Sequence, residues 1–572
     1  MPTAAADDLH ARARDWIAGD PDPQTRAALE EVLAAGDDEL LADLVDGSLE
    51  FGTAGLRGVV GPGPRRMNRA VVIRTTRGLA DHVLANSDGQ PLAVVGRDAR
   101  TMSDEFARDA IGVLAAAGFE VRAFADPVPT PLVAYAAKRL GAATAIVVTA
   151  SHNPPEYNGY KVYAANGAQI IPPEDAEIAA AIDAVGPASG VARAQRPWQL
   201  PNVAAVSGEV VDSYLAEVDE VRPAVDGAPL TIVHTALHGV AGDLAVRALQ
   251  RAGRDTVRPV AAQADPDPGF PTIDFPNPEE PGALDLALAA ADEVGADLVL
   301  ANDPDGDRLA VAVPAGDAWT TLTGNQIGAL LGTHLLEAYD GDARPLVVSS
   351  IVSSPMLAEI AAHHGASYEA TLTGFKWICN AALAIAADGD VEFVFGYEEA
   401  LGFTVGDVVR DKDGVSAAVL FADLVSGLRA EGRTVRDRLD ELYRAHGLWV
   451  SVQHAVTLPG DEGQQQIDAA MQQVGEEQPE SLAGRAVVEV TDFREDPDTR
   501  PWWLPATPLV RLMLEDGSRV LVRPSGTEPK LKIYADLRRD LDGETDVTGA
   551  EDSLRSDAER AAAGLASYLG IG

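Results

Sequence analysis

The chain has 572 residues, of which 46% are hydrophobic, so it can fill several hydrophobic cores and we expect about three to five domains. Its net charge of −43, from 88 acidic and 45 basic residues, disfavours binding to nucleic acid and to anionic membranes. No run of about 18 apolar residues predicts a membrane span, no secretory signal pattern is present, and a single cysteine, Cys379, excludes an intrachain disulfide, so we predict a cytoplasmic protein.

The N-terminal region is predicted to be helical. Residues 25–35 and 39–44 place apolar side chains at helical spacing. A glycine-rich motif with the sequence Phe-Gly-Thr-Ala-Gly-Leu-Arg-Gly follows at residues 51–58 and carries Arg57 near its end. Taken alone, this motif indicates only a loop.

Three successive segments then repeat one pattern, in which a strand, a helical stretch and further strands lead to a polar loop. The last strand of each segment is predicted at Ala145–Val148, Asp297–Leu300 and Val391–Phe395. Strands that alternate with helices favour mixed or parallel sheets covered by helices, and ligands bind beyond the carboxyl ends of such strands. We therefore expect one functional loop from each segment and a convergence of the three loops on one cleft.

The loop after the first of these strands places a serine next to a histidine. Ser151 and His152 come just beyond the strand, two prolines stiffen the residues that follow, and Lys161 closes the loop ten residues after Ser151. Such a loop can hold one hydroxyl rigidly with a base and a cation beside it. Ser151 is therefore the predicted nucleophile.

The loop after the second strand carries three carboxylates at every second position, Asp303, Asp305 and Asp307. Carboxylate oxygens suit a hard divalent cation such as Mg²⁺, and a small ligand set leaves positions for a phosphoryl oxygen. Arg308 could hold another phosphoryl oxygen. An EF-hand is excluded, because counting from Asp303 puts Arg308 where glycine is required and Pro314 where the bidentate glutamate is required. A solvated acidic turn remains the alternative.

The loop after the third strand begins Gly-Tyr-Glu-Glu-Ala, and Glu398 is its candidate for accepting hydrogen bonds from sugar hydroxyls. A charged turn is the alternative for this loop. Upstream, Thr373, Gly374 and Lys376 lie close together in the sequence, and Lys412 lies downstream. The two lysines are candidate phosphate or hydroxyl contacts, or else surface lysines.

After about residue 455 strands dominate, and a final amphipathic helix is predicted at residues 552–569, which indicates a small α+β domain. Residues 184–208 and 455–465 are the predicted linkers. We therefore predict domains at residues 1–205, 206–323, 324–455 and 456–572.

A phosphate-binding loop is predicted in the last domain, directly after a strand. Arginine, two hydroxyls and a glycine that opens backbone N–H groups form a phosphate cradle, here Arg523, Ser525, Gly526 and Thr527. A hairpin turn is the alternative for this stretch.

In order and in sequence, these motifs resemble the α-D-phosphohexomutases, which move a phosphoryl group between carbons of a sugar phosphate. The resemblance runs from about Phe51 to the C-terminus and is strongest to the phosphoglucomutase-2/phosphopentomutase branch, through residues 52–58, 371–377 and 396–402. It implies an α/β fold in which three similar mixed α/β domains and a smaller C-terminal α+β domain surround a central cleft.

The resemblance also implies a role for each motif. Ser151 would be the phosphorylated nucleophile, Arg57 and Arg308 would flank the transferring phosphoryl group, and His152 and Lys161 match positions proposed for general acid–base catalysis. The implied Mg²⁺ ligands are phosphorylated Ser151, Asp303, Asp305 and Asp307. The substrate-binding residues predicted from the motifs are Thr373, Gly374, Lys376, Glu398, Lys412, Arg523, Ser525, Gly526 and Thr527.

The implied reaction interconverts glucose 1-phosphate and glucose 6-phosphate through a phosphoserine enzyme and a sugar bisphosphate, with Mg²⁺ as cofactor and a sugar 1,6-bisphosphate as activator. Small sugar phosphates are the expected partners of a monomer or weak homodimer. One position departs from the family pattern, because Ala400 stands where many members have serine, which leaves mannose and pentose phosphates as alternative substrates. A Mg²⁺-dependent sugar phosphatase and a non-catalytic sugar-phosphate-binding protein are the rivals from other classes.

Overall fold

The structure is a computed structural model that describes residues 4–49, 55–387, 389–525 and 529–571, without the side chains of residues 4–6 and 461. The predicted residues Gly526 and Thr527 and the first four residues of the motif at 51–58 lie outside the described residues. The chain divides into two compact units. The first unit contains Met1–Arg222, Pro229–Thr321 and Gly402–Ala422, and the second contains Pro223–Ala228, Leu322–Leu401 and Asp423–Gly572.

The first unit begins with three helices, as the apolar spacing predicts: α1 (Ala4–Gly19), α2 (Pro23–Ala35) and α3 (Asp38–Val45). Asp22 is the N-cap of α2, and its side chain accepts a hydrogen bond from the backbone N–H of Gln24. Gly36, in the left-handed conformation, is the C-cap. Six apolar side chains form the core of this helical region: Leu9, Ala13, Leu29, Leu41, Leu44 and Val45.

A six-stranded mixed sheet follows. Its strands are β1 (Leu56–Val59), β2 (Leu92–Arg97), β3 (Glu120–Ala123), β4 (Thr144–Val148), β5 (Tyr157–Tyr163) and β6 (Val203–Ala205), in the order β1-β5-β4-β2-β3-β6. Four strands, β4, β2, β3 and β6, are parallel, whereas β5 is antiparallel to both β4 and β1. The accompanying helices are α4 (Arg69–Ala85), α5 (Ser103–Ala116), α6 (Thr130–Leu140) and α7 (Glu174–Asp183).

Two expectations for this region are wrong. The predicted linker at residues 184–208 contains two 3₁₀ turns, Ala188–Gly190 and Pro197–Gln199, and then β6, which pairs with β3 at the sheet edge. The predicted loop from Ser151 to Lys161 ends earlier, because residues from Tyr157 onward form β5. Lys161 therefore lies within a buried strand.

The second α/β region of the first unit is built in the same way. Its elements are α8 (Gly208–Glu220), β7 (Thr231–Thr235), α9 (Gly242–Arg251), β8 (Thr256–Pro259), α10 (Asp285–Val294), β9 (Leu298–Ala301), β10 (Ala310–Ala315) and β11 (Ala318–Thr321). The strand order is β11-β10-β9-β7-β8, with β7 parallel to β8 and β9, and with antiparallel pairing from β9 through β10 to β11. The fully buried strand β9 leads directly into the three predicted aspartates.

The second unit contains a third α/β region with a parallel sheet. Its elements are α11 (Gly324–Ala338), β12 (Arg344–Ser350), α12 (Met356–His363), β13 (Ser367–Thr371), α13 (Phe375–Ala386) and β14 (Val391–Glu398). Strand β12 lies between β13 and β14 and is parallel to both. Cys379 is buried in α13. The elements that follow are β15 (Gly402–Val405), α14 (Gly414–Ala430) and α15 (Val435–His446).

The C-terminal region of the second unit is α+β, as predicted. Its elements are β16 (Leu448–Thr457), α16 (Gly460–Glu476), β17 (Ser481–Leu482), β18 (Arg485–Asp492), β19 (Val510–Leu514), β20 (Arg519–Pro524), β21 (Lys530–Arg539) and α17 (Val547–Tyr568), with a 3₁₀ turn at Pro497–Thr499. The sheet order is β16-β21-β20-β19-β18-β17, with antiparallel pairing throughout. The predicted linker at residues 455–465 is wrong, because it holds the end of β16 and the start of α16.

No helix in the described part of the chain combines the length and the apolar character that crossing a membrane requires.

Candidate active site

Ser151 lies just after β4 and has a backbone φ of +53°, a left-handed conformation that is uncommon outside glycine. Its side chain is only 2% exposed. The Oγ atom donates a hydrogen bond to Oδ2 of Asp303 at 2.7 Å and lies 3.1 Å from Nδ1 of His152. The backbone N–H donates to Oγ1 of Thr149 at 2.9 Å. The surroundings thus fix both the unusual backbone and the hydroxyl of Ser151.

Arg100 holds this loop in place and is absent from the predicted site. It is 4% exposed and follows β2 closely in the sequence. Its guanidinium donates hydrogen bonds to four backbone carbonyls of the loop, those of Ser151, Asn153, Pro154 and Tyr157. The bond to the Ser151 carbonyl is 2.6 Å long. The planar guanidinium can serve several acceptors at once, so a single side chain rigidifies the serine loop.

The three aspartates after β9 are completely buried and lie together, with one ligand oxygen from each within 4.8 Å of the others. Oδ2 of Asp305 accepts hydrogen bonds from Lys161 Nζ at 2.8 Å and from Thr130 Oγ1 at 2.7 Å. Oδ2 of Asp307 also accepts from Lys161 Nζ at 2.8 Å. A solvated acidic turn is therefore wrong for this loop.

Lys161 reaches these carboxylates because β5 lies next to β4 in the sheet. Burial alone would lower its pKa, but the charges of Asp305 and Asp307 outweigh burial and raise the pKa above the ordinary value. The side chain therefore carries a positive charge that compensates part of the aspartate charge.

The aspartate group suits a divalent metal ion. Oδ1 of Asp305 and Oδ1 of Asp307 are buried and have no hydrogen-bond partner among the described residues. Burial, to which the negative charges of Asp305 and Asp307 add electrostatic repulsion, raises the pKa of Asp303 to about 8. A cation bound by oxygen ligands would relieve that repulsion and satisfy the unpaired oxygens.

Two arginines, Arg57 and Arg308, lie near the serine loop. Arg57, on β1, donates from its NH1 to Oδ1 of Asn153 at 3.1 Å, and Arg308 donates from its NH1 to Oε2 of Glu279 at 3.1 Å. Burial, together with the charges of Arg308 and Arg57, lowers the pKa of His152 well below its ordinary value. The imidazole is therefore neutral at neutral pH and can accept a proton.

Lys412 lies next to the aspartate group, and its role as a phosphate or hydroxyl contact stays a prediction. Its Nζ lies 3.0 Å from Oδ2 of Asp307, so it belongs with the aspartate group. The chain approaches very closely here, because a Cβ at Gly414 would lie 2.2 Å from the carbonyl oxygen of Arg308. Only glycine fits this position.

The second unit brings together four predicted substrate-binding residues. The N–H of Gly374 donates to Oε1 of Glu398 at 2.6 Å, and NH1 of Arg523 donates to Oγ1 of Thr373. Gly374 has a φ of +113° and precedes α13, so its N–H is free of the helix and faces the carboxylate. These four residues, Thr373, Gly374, Glu398 and Arg523, are the recognition cluster.

Lys376 and Ser525 lie beside this cluster in the sequence. The Nζ of Lys376 is 6.0 Å from the centre of the Trp377 ring. The backbone N–H of Ser525 donates to the carbonyl of Lys530 at 2.8 Å, which closes the base of the predicted phosphate loop. The remaining predicted residues of that loop, Gly526 and Thr527, lie outside the described residues.

Glu399 differs sharply from its neighbour Glu398 and was not predicted to act. Its Oε2 accepts hydrogen bonds from Oγ of Ser350 at 2.9 Å and from Oγ of Ser353 at 3.1 Å. Arg519 donates to the carbonyl of Ser353 at 2.5 Å and to Oδ2 of Asp536 at 2.8 Å. Glu399 is thus the end of a hydrogen-bond network beneath the recognition cluster. The two adjacent glutamates therefore have different hydrogen-bond partners.

Some functional residues could not be found from sequence motifs. An arginine that follows a predicted strand was a usable signal for Arg100, because polar residues at carboxyl ends of strands often serve a site. Its partners, however, lie between 51 and 57 residues later in the chain. The role of Glu399 depends on serines about 46 to 49 residues earlier.

A buried serine beside an aspartate group that suits a metal, on repeated α/β regions, defines the class of phosphoryl-transferring sugar-phosphate mutases. Comparison with known families agrees. Four consecutive models of the phosphoglucomutase/phosphomannomutase family match the chain: α/β/α domain I at residues 48–188, domain II at 212–316, domain III at 323–446 and the C-terminal domain at 480–546. The chain belongs to this family, within the α-D-phosphohexomutase superfamily, and is an enzyme of the mutase class.

Its relatives carry different substrate names. A "Probable phosphomannomutase" of Haemophilus influenzae is 42% identical over 82% of this chain and 93% of its own length. A "Probable phosphoribomutase" of Schizosaccharomyces pombe is 35% identical over 91% of this chain and 92% of its own length. The fold also matches a phosphoglucomutase/phosphomannomutase family protein of Burkholderia thailandensis, with a TM-score of 0.64, 22% identity, and coverage of 91% of this chain and 98% of the other.

Proposed function

We propose that this enzyme interconverts glucose 1-phosphate and glucose 6-phosphate through phosphorylated Ser151 and a glucose 1,6-bisphosphate intermediate. The observation that carries the proposal is the Ser151 hydroxyl, which is buried, hydrogen-bonded to Asp303 at 2.7 Å and set in a left-handed backbone conformation. A hydroxyl with no chemical task would not require such a costly arrangement. Mannose and pentose phosphates are the alternative substrates.

The aspartate group is proposed to bind Mg²⁺, because unpaired buried carboxylate oxygens are the ligands that this ion prefers. Asp303, Asp305 and Asp307 would hold it together with an oxygen of phosphorylated Ser151. When bound, Mg²⁺ would neutralise negative charge on the phosphoryl group.

The other residues of the first unit are proposed to orient the phosphoryl group. The guanidinium groups of Arg57 and Arg308 offer donors to the oxygens that carry charge during transfer. Lys161 balances Asp305 and Asp307, so that the surplus negative charge does not repel the phosphoryl group. Arg100 fixes the carbonyls of the serine loop and thereby the direction of attack.

In the first step, a bond forms between a free sugar hydroxyl oxygen and phosphorus, and the bond from phosphorus to Ser151 Oγ breaks. The proton of the sugar hydroxyl must finally reside on Ser151 Oγ. His152 is a suitable relay, because its neutral imidazole lies 3.1 Å from that oxygen. The second step reverses this chemistry with the other phosphoryl group of the bisphosphate and regenerates phosphorylated Ser151.

The recognition cluster is proposed to hold the sugar and the phosphate that does not react. The Glu398 carboxylate can accept hydrogen bonds from two neighbouring hydroxyls, and Arg523 and Lys376 can bind phosphate. Ser525, Gly526 and Thr527 are proposed to complete the phosphate loop. The same residues must accept either phosphate of the bisphosphate, so recognition by charge is better suited here than close shape complementarity.

Phosphorus NMR tests the proposed reaction directly. Purified enzyme with Mg²⁺, glucose 1-phosphate and a trace of glucose 1,6-bisphosphate should produce glucose 6-phosphate without inorganic phosphate. Release of inorganic phosphate alone would instead identify a phosphatase. If no product forms, the same assay with mannose 1-phosphate and ribose 1-phosphate decides between the alternative substrates.

A further inference from the structure

An aromatic cluster lies next to the recognition cluster and has no part in the reaction described above. Trp502 packs against Trp377, with ring centres 6.3 Å apart, and meets Trp503 edge-on at 5.4 Å. Trp377 is buried in the first turn of α13, but the Trp502 side chain is 48% exposed. The exposed indole offers an apolar face beside the recognition cluster that a bound ligand can cover.

The loop that carries Trp502 is held firmly. Arg500 donates hydrogen bonds to three backbone carbonyls of the loop, those of Glu495, Phe493 and Leu504, at 2.8, 3.0 and 3.2 Å. Its guanidinium also lies 5.0 Å from the centre of the Phe493 ring. Leu504 packs on the core that contains Phe493 and Ile351. The exposed position of Trp502 is therefore built into the loop.

The loop is also tied to the recognition cluster. The backbone N–H of Leu372 donates to the carbonyl of Trp503 at 3.3 Å, directly before Thr373. Trp377 lies in the first turn of α13, the helix that Gly374 caps, and Lys376 lies over the Trp377 ring. Trp502 thus contacts the ring of Trp377, and Trp377 in turn neighbours the residues proposed to hold the substrate.

We propose that Trp502 is a specificity-determining residue whose indole face covers one face of the sugar ring in the bound sugar phosphate. This inference rests on the proposed function, because it assigns the residue that contacts the sugar ring at the same site. The C–H groups on one face of a sugar ring form an apolar surface that suits an indole, while the phosphate finds Lys376 and Arg523 nearby.

Recognition of this kind has a consequence for substrate choice. A site that binds a hydroxyl by hydrogen bonds rejects analogues that lack or misplace it, whereas an apolar surface discriminates weakly. Ala400 removes one possible hydroxyl contact from the loop after β14. Trp502 supplies binding that is insensitive to hydroxyl configuration. The enzyme should therefore accept glucose, mannose and pentose 1-phosphates with values of kcat/KM within about tenfold of one another.

Steady-state kinetics of Trp502→Ala and Trp502→Phe test the role. Trp502→Ala should raise KM about tenfold for all three sugar phosphates with kcat nearly unchanged, because the stacking contact is present in both ground and transition states. Trp502→Phe keeps an aromatic face, so its KM should rise less than that of Trp502→Ala. Trp198→Ala is the matched control, since Trp198 is 45% exposed and lies in the first unit, on a 3₁₀ turn. It should leave KM unchanged.

A binding measurement separates this inference from the proposed function. Ser151→Ala cannot turn over, so glucose 1,6-bisphosphate can be titrated against its tryptophan fluorescence and compared with Ser151→Ala/Trp502→Phe. A smaller fluorescence change and about threefold weaker binding in the double variant support the role. Equal binding and equal fluorescence changes would overturn it, as would a KM for Trp502→Ala that changes for one sugar only. If the unaltered enzyme turns over none of the three sugar phosphates, the proposed function fails first.

Discussion

The aspartate group with Ser151 and the recognition cluster differ in how deeply their side chains are buried. Asp305, Asp307 and Lys161 are completely buried and bonded to one another, and four carbonyls of the serine loop share Arg100. In contrast, Glu398 and Arg523 are partly exposed; Glu398 accepts a hydrogen bond from the N–H of Gly374, and Arg523 donates one to Thr373. Chemistry on one oxygen requires a fixed geometry, whereas binding of either end of a bisphosphate requires tolerance. The predictions below probe this difference, from the largest expected effect to the smallest.

The serine itself should be indispensable. Ser151→Ala should reduce turnover by about 10⁴-fold or more, because it removes the atom that carries the phosphoryl group. Binding of glucose 1,6-bisphosphate should persist, since the recognition cluster is intact. Phosphorus NMR measures turnover, and calorimetry measures binding. Ser189→Ala, on an exposed 3₁₀ turn, is the control and should be fully active. An active Ser151→Ala would disprove the phosphoserine mechanism.

Removal of divalent metal should have the next largest effect. Dialysis against EDTA should reduce activity by about 10³-fold, because the aspartate carboxylates would then face the phosphoryl group without a metal ion to neutralise negative charge. Added Mg²⁺ should restore the activity, and a metal titration measures the affinity. Full activity after exhaustive metal removal would contradict a metal role for the aspartate group.

Arg100, which holds the serine loop through four hydrogen bonds to backbone carbonyls, should be needed for a high kcat although it does not contact the substrate. Arg100→Lys replaces a planar donor that serves four carbonyls with a single ammonium group, so the serine loop should loosen and kcat should fall about 100-fold. KM should change little. Arg97→Lys, at the end of the same strand β2, is the control. Equal kcat values for the two variants would mean that the serine loop stays rigid without the hydrogen bonds from the Arg100 guanidinium.

Glu399 should matter least, because it acts through its neighbours in the more tolerant cluster. Glu399→Gln keeps the size but weakens the bonds from Ser350 and Ser353, and we expect about a tenfold loss in kcat/KM, mostly in KM. Glu392→Gln, exposed on the same strand β14, should leave kcat/KM unchanged. A loss of several hundredfold would instead place Glu399 in direct contact with the substrate.

Much of the fold follows from local patterns in the sequence. The predicted strand at Ala145–Val148 is observed at Thr144–Val148, and the predicted helix at residues 552–569 is observed at Val547–Tyr568. These elements have continuous apolar runs or helical apolar spacing, so the local sequence pattern predicts that they are buried. The order of the polar loops along the chain also follows from this pattern.

The strand β5 could not be predicted in the same way. Its sequence, Tyr-Asn-Gly-Tyr-Lys-Val-Tyr, mixes polar residues with a glycine, and its lysine is completely buried. Burial of Lys161 is stable only because Asp305 and Asp307 meet it from about 145 residues away in the chain. The sequence around β5 does not indicate those partners, so the burial of Lys161 could not be predicted from it. Long-range charge pairing, rather than local propensity, decides this strand.

The chain's only cysteine offers a built-in reporter of the second unit. Cys379 is buried in α13, the helix that begins at the Gly374 cap of the recognition cluster. A thiol reagent can reach it only when that helix opens, so the labelling rate measures the free energy of local unfolding in an unaltered enzyme. A sugar phosphate bound at Gly374 and Glu398 should slow the labelling in proportion to its affinity, without any introduced probe or active-site change.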